Sequence, residues 1–133
     1  MRYPVSGIIE NIAYWIEQNV LPHEHIVYGS DPPINGICLI QNGGYAPDIH
    51  LNKGMIYSMP VLLNGKNEDQ EKLIDYLWSI HEALTKRKRY AWLSNEDIQI
   101  ISIETTSAPM IIGREQNRQW VAGSSFEVRY YWR

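Results

Sequence analysis

A chain of 133 residues, 44% of them hydrophobic, can bury one core and is sized for one domain, so neither a disulfide nor a metal is needed to hold it together. Twelve basic against fifteen acidic residues leave a formal charge of -3, too weak a field for a nucleic-acid binder and too small for an acidic tail. The single cysteine, Cys38, lies between Ile37 and Leu39 and reads as a small buried hydrophobe of a protein made in a reducing compartment.

Taken in order, Ile8, Ile12, Ile16 and Val20, flanked by Ile9, Ala13 and Trp15, recur at the helical period and predict an amphipathic helix over about residues 5–20. Pro4 or Ser6 suits its first turn, and Pro22 forbids its continuation. The same stretch has no continuous apolar run of the kind a signal peptide carries. Nothing in the chain approaches ~18 uninterrupted apolar residues, so a soluble product without a membrane span is expected. His25 to Gly29 is a short strand candidate, closed off by Ser30-Asp31-Pro32-Pro33. A second strand follows from about Ile34 to Gln41, where Ile37, Cys38, Leu39 and Ile40 are apolar without alternation, as in a strand buried on both faces. Asn42 to Asp48 reads as an exposed loop containing Gly43, Gly44 and Tyr45.

Met55 to Leu63 alternates again, and Pro60, which lacks an N–H, points to an edge strand or a bulge there. Asn64-Gly65-Lys66 reads as the turn into a second helix, with Asn67 and Gln70 at capping-box spacing and Glu68, Asp69 and Glu71 at the positive end of its dipole. Leu73, Leu77, Ile80 and Leu84 form its buried stripe, with Ile74, Trp78 and His81 beside it, and Lys86-Arg87-Lys88-Arg89 suits its C-terminus. Tyr90 to Leu93 connects, as loop or short turn, to a strand at about Ile98 to Thr105. A turn at Thr106 to Pro109, a short apolar strand at Met110 to Ile112 and a polar tip at Gly113 to Gln119 follow.

From Trp120 onward the even positions (Trp120, Ala122, Ser124, Phe126, Val128, Tyr130, Trp132) are almost wholly apolar. The odd ones (Val121, Gly123, Ser125, Glu127, Arg129, Tyr131, Arg133) are mostly polar. Side chains of a strand alternate between faces, so this is one long amphipathic strand. With no later strand to cover it, it must pair with an interior strand, leave an edge open or pair with another chain, and the last is expected here. Residues 1–133 are therefore expected to form one α+β domain, a mainly antiparallel sheet with two principal helices packed on it and a long C-terminal hairpin. Nine Tyr and five Trp against one Phe supply rings with a polar handle, suited to surfaces that are dry on one side and wet on the other.

Candidate chemistry is sparse. His23-Glu24-His25 lacks a third ligand in sequence, with neither His50 nor His81 placed to supply it, and reads as an exposed turn rather than a zinc site. Cys38 has no electropositive neighbour that would make a thiolate. Asn42-Gly43-Gly44 lacks the Lys-Ser/Thr pair and following helix of a phosphate loop. The basic run at 86–89 is explained by the helix dipole rather than by sequence-specific nucleic-acid binding. No catalytic, metal-binding or cofactor-binding residue is expected. At the hairpin tip, Arg114, Glu115 and Arg118 either solvate a turn or contact a neighbouring molecule.

One stretch carries a resemblance. Ile101 and Ile103, the turn Thr106 to Pro109, the run Ile111 to Gly113, a charged tip with Glu115 and Arg118, and the aromatic strand Phe126 to Tyr131 are together similar to the C-terminal half of phage tail terminator proteins, also called minor capsid or tail completion proteins. Gly43-Gly44-Tyr45-Ala46-Pro47 resembles that family's Gly-Gly-x-x-Pro loop, and the leading amphipathic helix is shared. Arg114 and Gln116-Asn117 depart from the acidic, glycine-containing tip usual there. The resemblance implies a structural subunit without cofactor, made in the host cytoplasm. It would assemble as a ring, usually a hexamer, at the tail–neck junction of the virion, where it ends tube polymerisation and joins the head. Its partners would be itself, the tail tube protein and a neck or head-completion protein, with Arg114, Glu115, Arg118, Glu127, Arg129 and Tyr131 at the subunit or tube interface and Gly43, Gly44 and Tyr45 as a loop contact. The alternatives are a neck stopper or head-completion protein and, further off, a small hydrolase or ligand-binding domain built from His23, His25 and His50.

Overall fold

The computed structural model describes residues 4–22, 24–29, 31–41, 54–86, 90, 94 and 97–133, with side chains from residue 7 onward. Helix α1 (Pro4–Asn19) opens with proline, whose missing N–H is harmless in a first turn. It closes where Val20 and Leu21 N–H both donate to the Ile16 carbonyl, just ahead of Pro22. Strand β1 (Ile26–Tyr28) lies parallel to β2 (Ile37–Gln41). Strand β3 (Met55–Asn67), helix α2 (Gln70–Thr85), strand β4 (Ile98–Arg114) and strand β5 (Trp120–Trp132) complete the chain. The sheet order is β1-β2-β3-β5-β4, with every pairing except β1–β2 antiparallel, so the expected α+β class is the observed one.

Both helices cover the same face of the sheet. Ile8, Ile12 and Ile16 of α1 and Leu73, Leu77, Ile80 and Leu84 of α2 pack with Ile37, Leu39, Met59, Val61, Leu63, Phe126, Val128 and Tyr130 into one core. The even row of β5 points into that core and the odd row faces away from the helices, as its alternation requires.

Three expectations are corrected and one is narrowed. Asn64-Gly65-Lys66 is not a turn but the continuation of β3, because glycine serves close packing there. A Cβ on Gly65 would stand 2.7 Å from Leu73 Cδ1 and 3.4 Å from Ile37 Cγ1, where α2 crosses the sheet. Pro60 marks no bulge, since β3 keeps an unbroken register with β5 through Pro60↔Glu127, but it does fall where β5 is the only neighbour of β3 among the described residues, as an edge position would. The β2 ladder ends one residue away at Gln41↔Val61. Thr106 to Pro109 does not divide two strands. The run stays in β4 through register shifts between Thr105 and Ser107 and between Ser107 and Met110, and Pro109 is accommodated because β4 lies at the rim of the sheet.

The third correction concerns β5. Instead of an open edge it is an interior strand, paired along its whole length with β3, from Met55↔Trp132 to Asn67↔Trp120, and with β4 on its other side. The expected strand-to-strand seam between copies is thus closed at β5. Among the described residues the open rims are those of β1 and β4.

The cap of α2 is also displaced from the predicted capping box. Asn67 ends β3, 6% exposed, and its Oδ1 accepts from Asp69 N–H at 2.9 Å, while Asp69 Oδ1 accepts from Lys72 N–H at 3.2 Å. Asp69→Ala leaves an orphan N–H in the first turn and is expected to cost about 1 kcal/mol, read as a fall of roughly 3–4 °C in a thermal melt.

Candidate functional site

The hairpin tip is held from both sides. Glu115 N–H donates to the Gln119 carbonyl at 2.8 Å, Arg118 N–H donates to the Glu115 carbonyl at 3.1 Å, and Arg118 takes a left-handed φ of 66° that tightens the turn. The Arg114 guanidinium lies over the Trp120 ring, 5.0 Å from its centroid, and Glu115 pairs with Lys66 of β3 at 2.9 Å. Beneath them Gln119 is 4% exposed, and its amide makes a double contact with Asn35. Asn35 N–H donates to Gln119 Oε1 at 2.9 Å, and Gln119 Nε2 donates to Asn35 Oδ1 at 3.1 Å. Asn35 Oδ1 also accepts from Glu68 N–H at 3.2 Å, tying the tip to the loop before β2 and to the approach to α2. Gln119→Leu keeps the volume but strands the Asn35 groups. Asn35 is exposed, so water can replace part of what is lost, and we expect a loss of about 1 kcal/mol with faster amide exchange confined to residues 114–119 and the 33–36 loop.

Glu127, Arg129 and Tyr131 lie on the sheet face away from the helices, so the expected interface residues fall into two groups. The seven residue steps from Trp120 to Glu127 span about 23 Å of strand, too far for the tip and this row to converge on one small ligand. Across the face Glu127 stands opposite Glu104, Arg129 opposite Ser102 and Ser58, and Tyr131 opposite Gln99 and Ile56. Ile56, Met110 and Ile112 are 53%, 60% and 66% exposed. Met110 and Ile112 flank Gly123, where a Cβ would stand 2.8 Å from Ile112 Cδ1. Gly43, Gly44 and Tyr45 lie outside the described residues, as do His23, His50 and residues 87–89 of the basic run.

A buried polar cluster sits where α2 crosses the hairpin. His81 is 1% exposed, with Nδ1 2.8 Å from Thr105 Oγ1 and Nε2 2.7 Å from Ser124 Oγ, and its ring meets Phe126 edge-on. Ser124 has one proton and donates it to the Leu63 carbonyl at 3.1 Å, so His81 Nε2–H donates to Ser124 and Nδ1 accepts from Thr105. Histidine therefore acts here as donor rather than base toward serine, and the cluster joins α2 to three strands. Burial pushes the His81 pKa down to about 4.

The remaining candidates do not gather. His25 Nδ1 is 2.8 Å from Glu17 Oε1, an oxygen that also accepts from Ile26 N–H at 2.7 Å. Burial, with a smaller contribution from the charge of Asp31, pushes the Cys38 thiol up to about 11, away from nucleophile chemistry. A shallow groove on α2 is lined by Ser79, Glu82, Ala83 and Lys86, the last pairing with Glu82. Among the described residues no group of three His, Cys, Asp or Glu side chains is placed to hold a metal ion, and no helix is long and apolar enough to cross a membrane.

The sequence pattern located the tip and the odd row of β5 but not Asn35–Gln119 or the His81 cluster. The one available signal was a polar residue on each of two apolar faces, His81 on the helix stripe and Ser124 on the strand row. Fold and surface together define a two-layer α+β domain in which both described helices cover one face of the sheet and leave the other bare among the described residues. In comparison with known proteins, the chain matches no family model and no curated sequence.

Proposed function

We propose that this chain is a structural subunit that forms a ring at the head-proximal end of a phage or prophage tail, ending tube polymerisation and offering the surface that joins the head. The observation that carries the reading is the combination of a sheet face that neither described helix covers, bearing exposed Ile56, Met110 and Ile112, with a charged tip anchored by hydrogen bonds and an ion pair. Exposed apolar groups rimmed by charge on a preformed scaffold suit contact with another protein better than chemistry on a small molecule. The resemblance of residues 101–131 to tail terminators supports the same reading. Because β5 is interior, the contacts between copies are assigned to the tip, the outer sheet face and the β4 rim, with the tube and a neck protein on the two faces of the ring.

The test is a deletion in the phage or prophage that carries the gene. Overlong or headless tails, rescued by the chain in trans, are the expected result, with rings seen by negative stain on purified tails. A protein that stays monomeric at high concentration and is absent from virions would overturn the reading. Normal-length tails with a defect only on the portal side would assign the chain to the neck instead.

A further inference from the structure

The outer sheet face carries a pair of like charges that no described residue of the chain neutralises by an ion pair. Glu104 and Glu127 are direct cross-strand partners on β4 and β5, and both side chains share the face away from the core, because Ile103 and Val128 beside them point inward. At that spacing, about 5 Å between Cβ atoms, like charges oppose pairing. Among the described residues neither carboxylate has an ion-pair partner: Pro60 flanks Glu127 on β3, and Arg129, the next residue on that face, is not within salt-bridge distance of either. The tip holds the opposite imbalance. Glu115 is occupied by Lys66 and Arg114 by the Trp120 ring, which leaves the exposed Arg118 without a carboxylate among the described residues.

Resting on the ring reading above, we propose that the tip of one copy docks on the outer sheet face of the next, with Arg118 set against the Glu104–Glu127 pair. The opposite signs of the two surfaces choose a second copy as the occupant. The roughly 23 Å of strand between Trp120 and Glu127 prevents the two halves from meeting within one molecule. Such a contact is head-to-tail: each copy offers one tip and one face, so the series closes into a ring when its rotation does. Met110 and Ile112, on the same face between the acidic pair and the tip, are covered by the same approach, which accounts for large apolar groups left exposed on a finished sheet.

The test uses two full-length variants, Arg118→Glu at the tip and Glu104→Lys/Glu127→Lys on the face, measured by light scattering and by negative stain on tails. Each alone is expected to weaken assembly roughly tenfold or more while keeping the wild-type melt and circular dichroism. Mixing them in equal amounts restores assembly with alternating copies, since every junction is again opposite in sign. If wild type forms rings and either variant assembles equally well, or the mixture fails to recover, the tip-on-face contact is wrong while the ring reading stands. If wild type forms no higher assembly and is absent from tails, the ring reading fails and takes this contact with it.

Discussion

Phe126→Ala is expected to lower stability by about 3–5 kcal/mol and the melting temperature by roughly 10–20 °C. Phe126 is the only phenylalanine in the chain and is 0% exposed, in the middle of a strand that is paired along its length on both sides, opposite Val61 of β3 and Thr105 of β4. Its ring also supports the edge of His81, so truncation removes core volume and loosens the wall of a polar cluster at once. Little can move into the gap, because the ladders on either side fix the backbone and α2 crosses above. Domains of this size commonly hold only ~5–15 kcal/mol of stability, so the variant should show a populated unfolded fraction in mild urea. Phe126→Leu, which keeps most of the volume, should lose well under half as much. A Phe126→Ala variant that melts within a few degrees of wild type would mean that the core is not centred on β5.

Acid should unfold the protein through His81. In the unfolded chain this imidazole takes its ordinary value near 6.5, whereas burial in the fold holds it down to about 4. As the pH falls the unfolded state protonates first. The contribution is therefore fully present above pH 6.5 and is lost progressively between 6.5 and 4. The gap is worth roughly 3 kcal/mol at most. No charged group offsets it, since the ring faces Thr105, Ser124 and Phe126, all neutral. Urea unfolding at pH 7 and pH 4.5 should show the loss in wild type, and His81→Gln should remove most of the difference even if it is less stable at pH 7. Equal pH slopes in the two proteins would show that carboxylates, not His81, govern acid unfolding.

These residues also show where sequence reading succeeds and where it stops. The two helices and the alternation of β5 were legible because each is a local, periodic property: a buried stripe every three to four residues, or a face every second one. The division of β5 into a core row and an outer row placed Glu127, Arg129 and Tyr131 on the solvent side without knowledge of any partner strand. Gly65 and Thr106 to Pro109 were misread for one shared reason. Glycine and proline are local turn signals, but here their roles are set by distant chain, α2 pressing on Gly65 and the unpaired rim of β4 tolerating Pro109. Asn35 and Gln119, 84 residues apart, gave no local sign of their mutual contact.

By itself the sequence determined the α+β class, the inward and outward rows of the last strand, and a charged tip before it, since each follows from composition and short-range period. Tertiary structure alone decided that β5 lies between β3 and β4 and that β4 takes the rim. It also decided that His81 meets Ser124 and that Glu104 stands against Glu127. Strand order and register are settled by which pairings bury the most apolar surface in three dimensions, a competition among segments far apart in the chain that no window of neighbouring residues records.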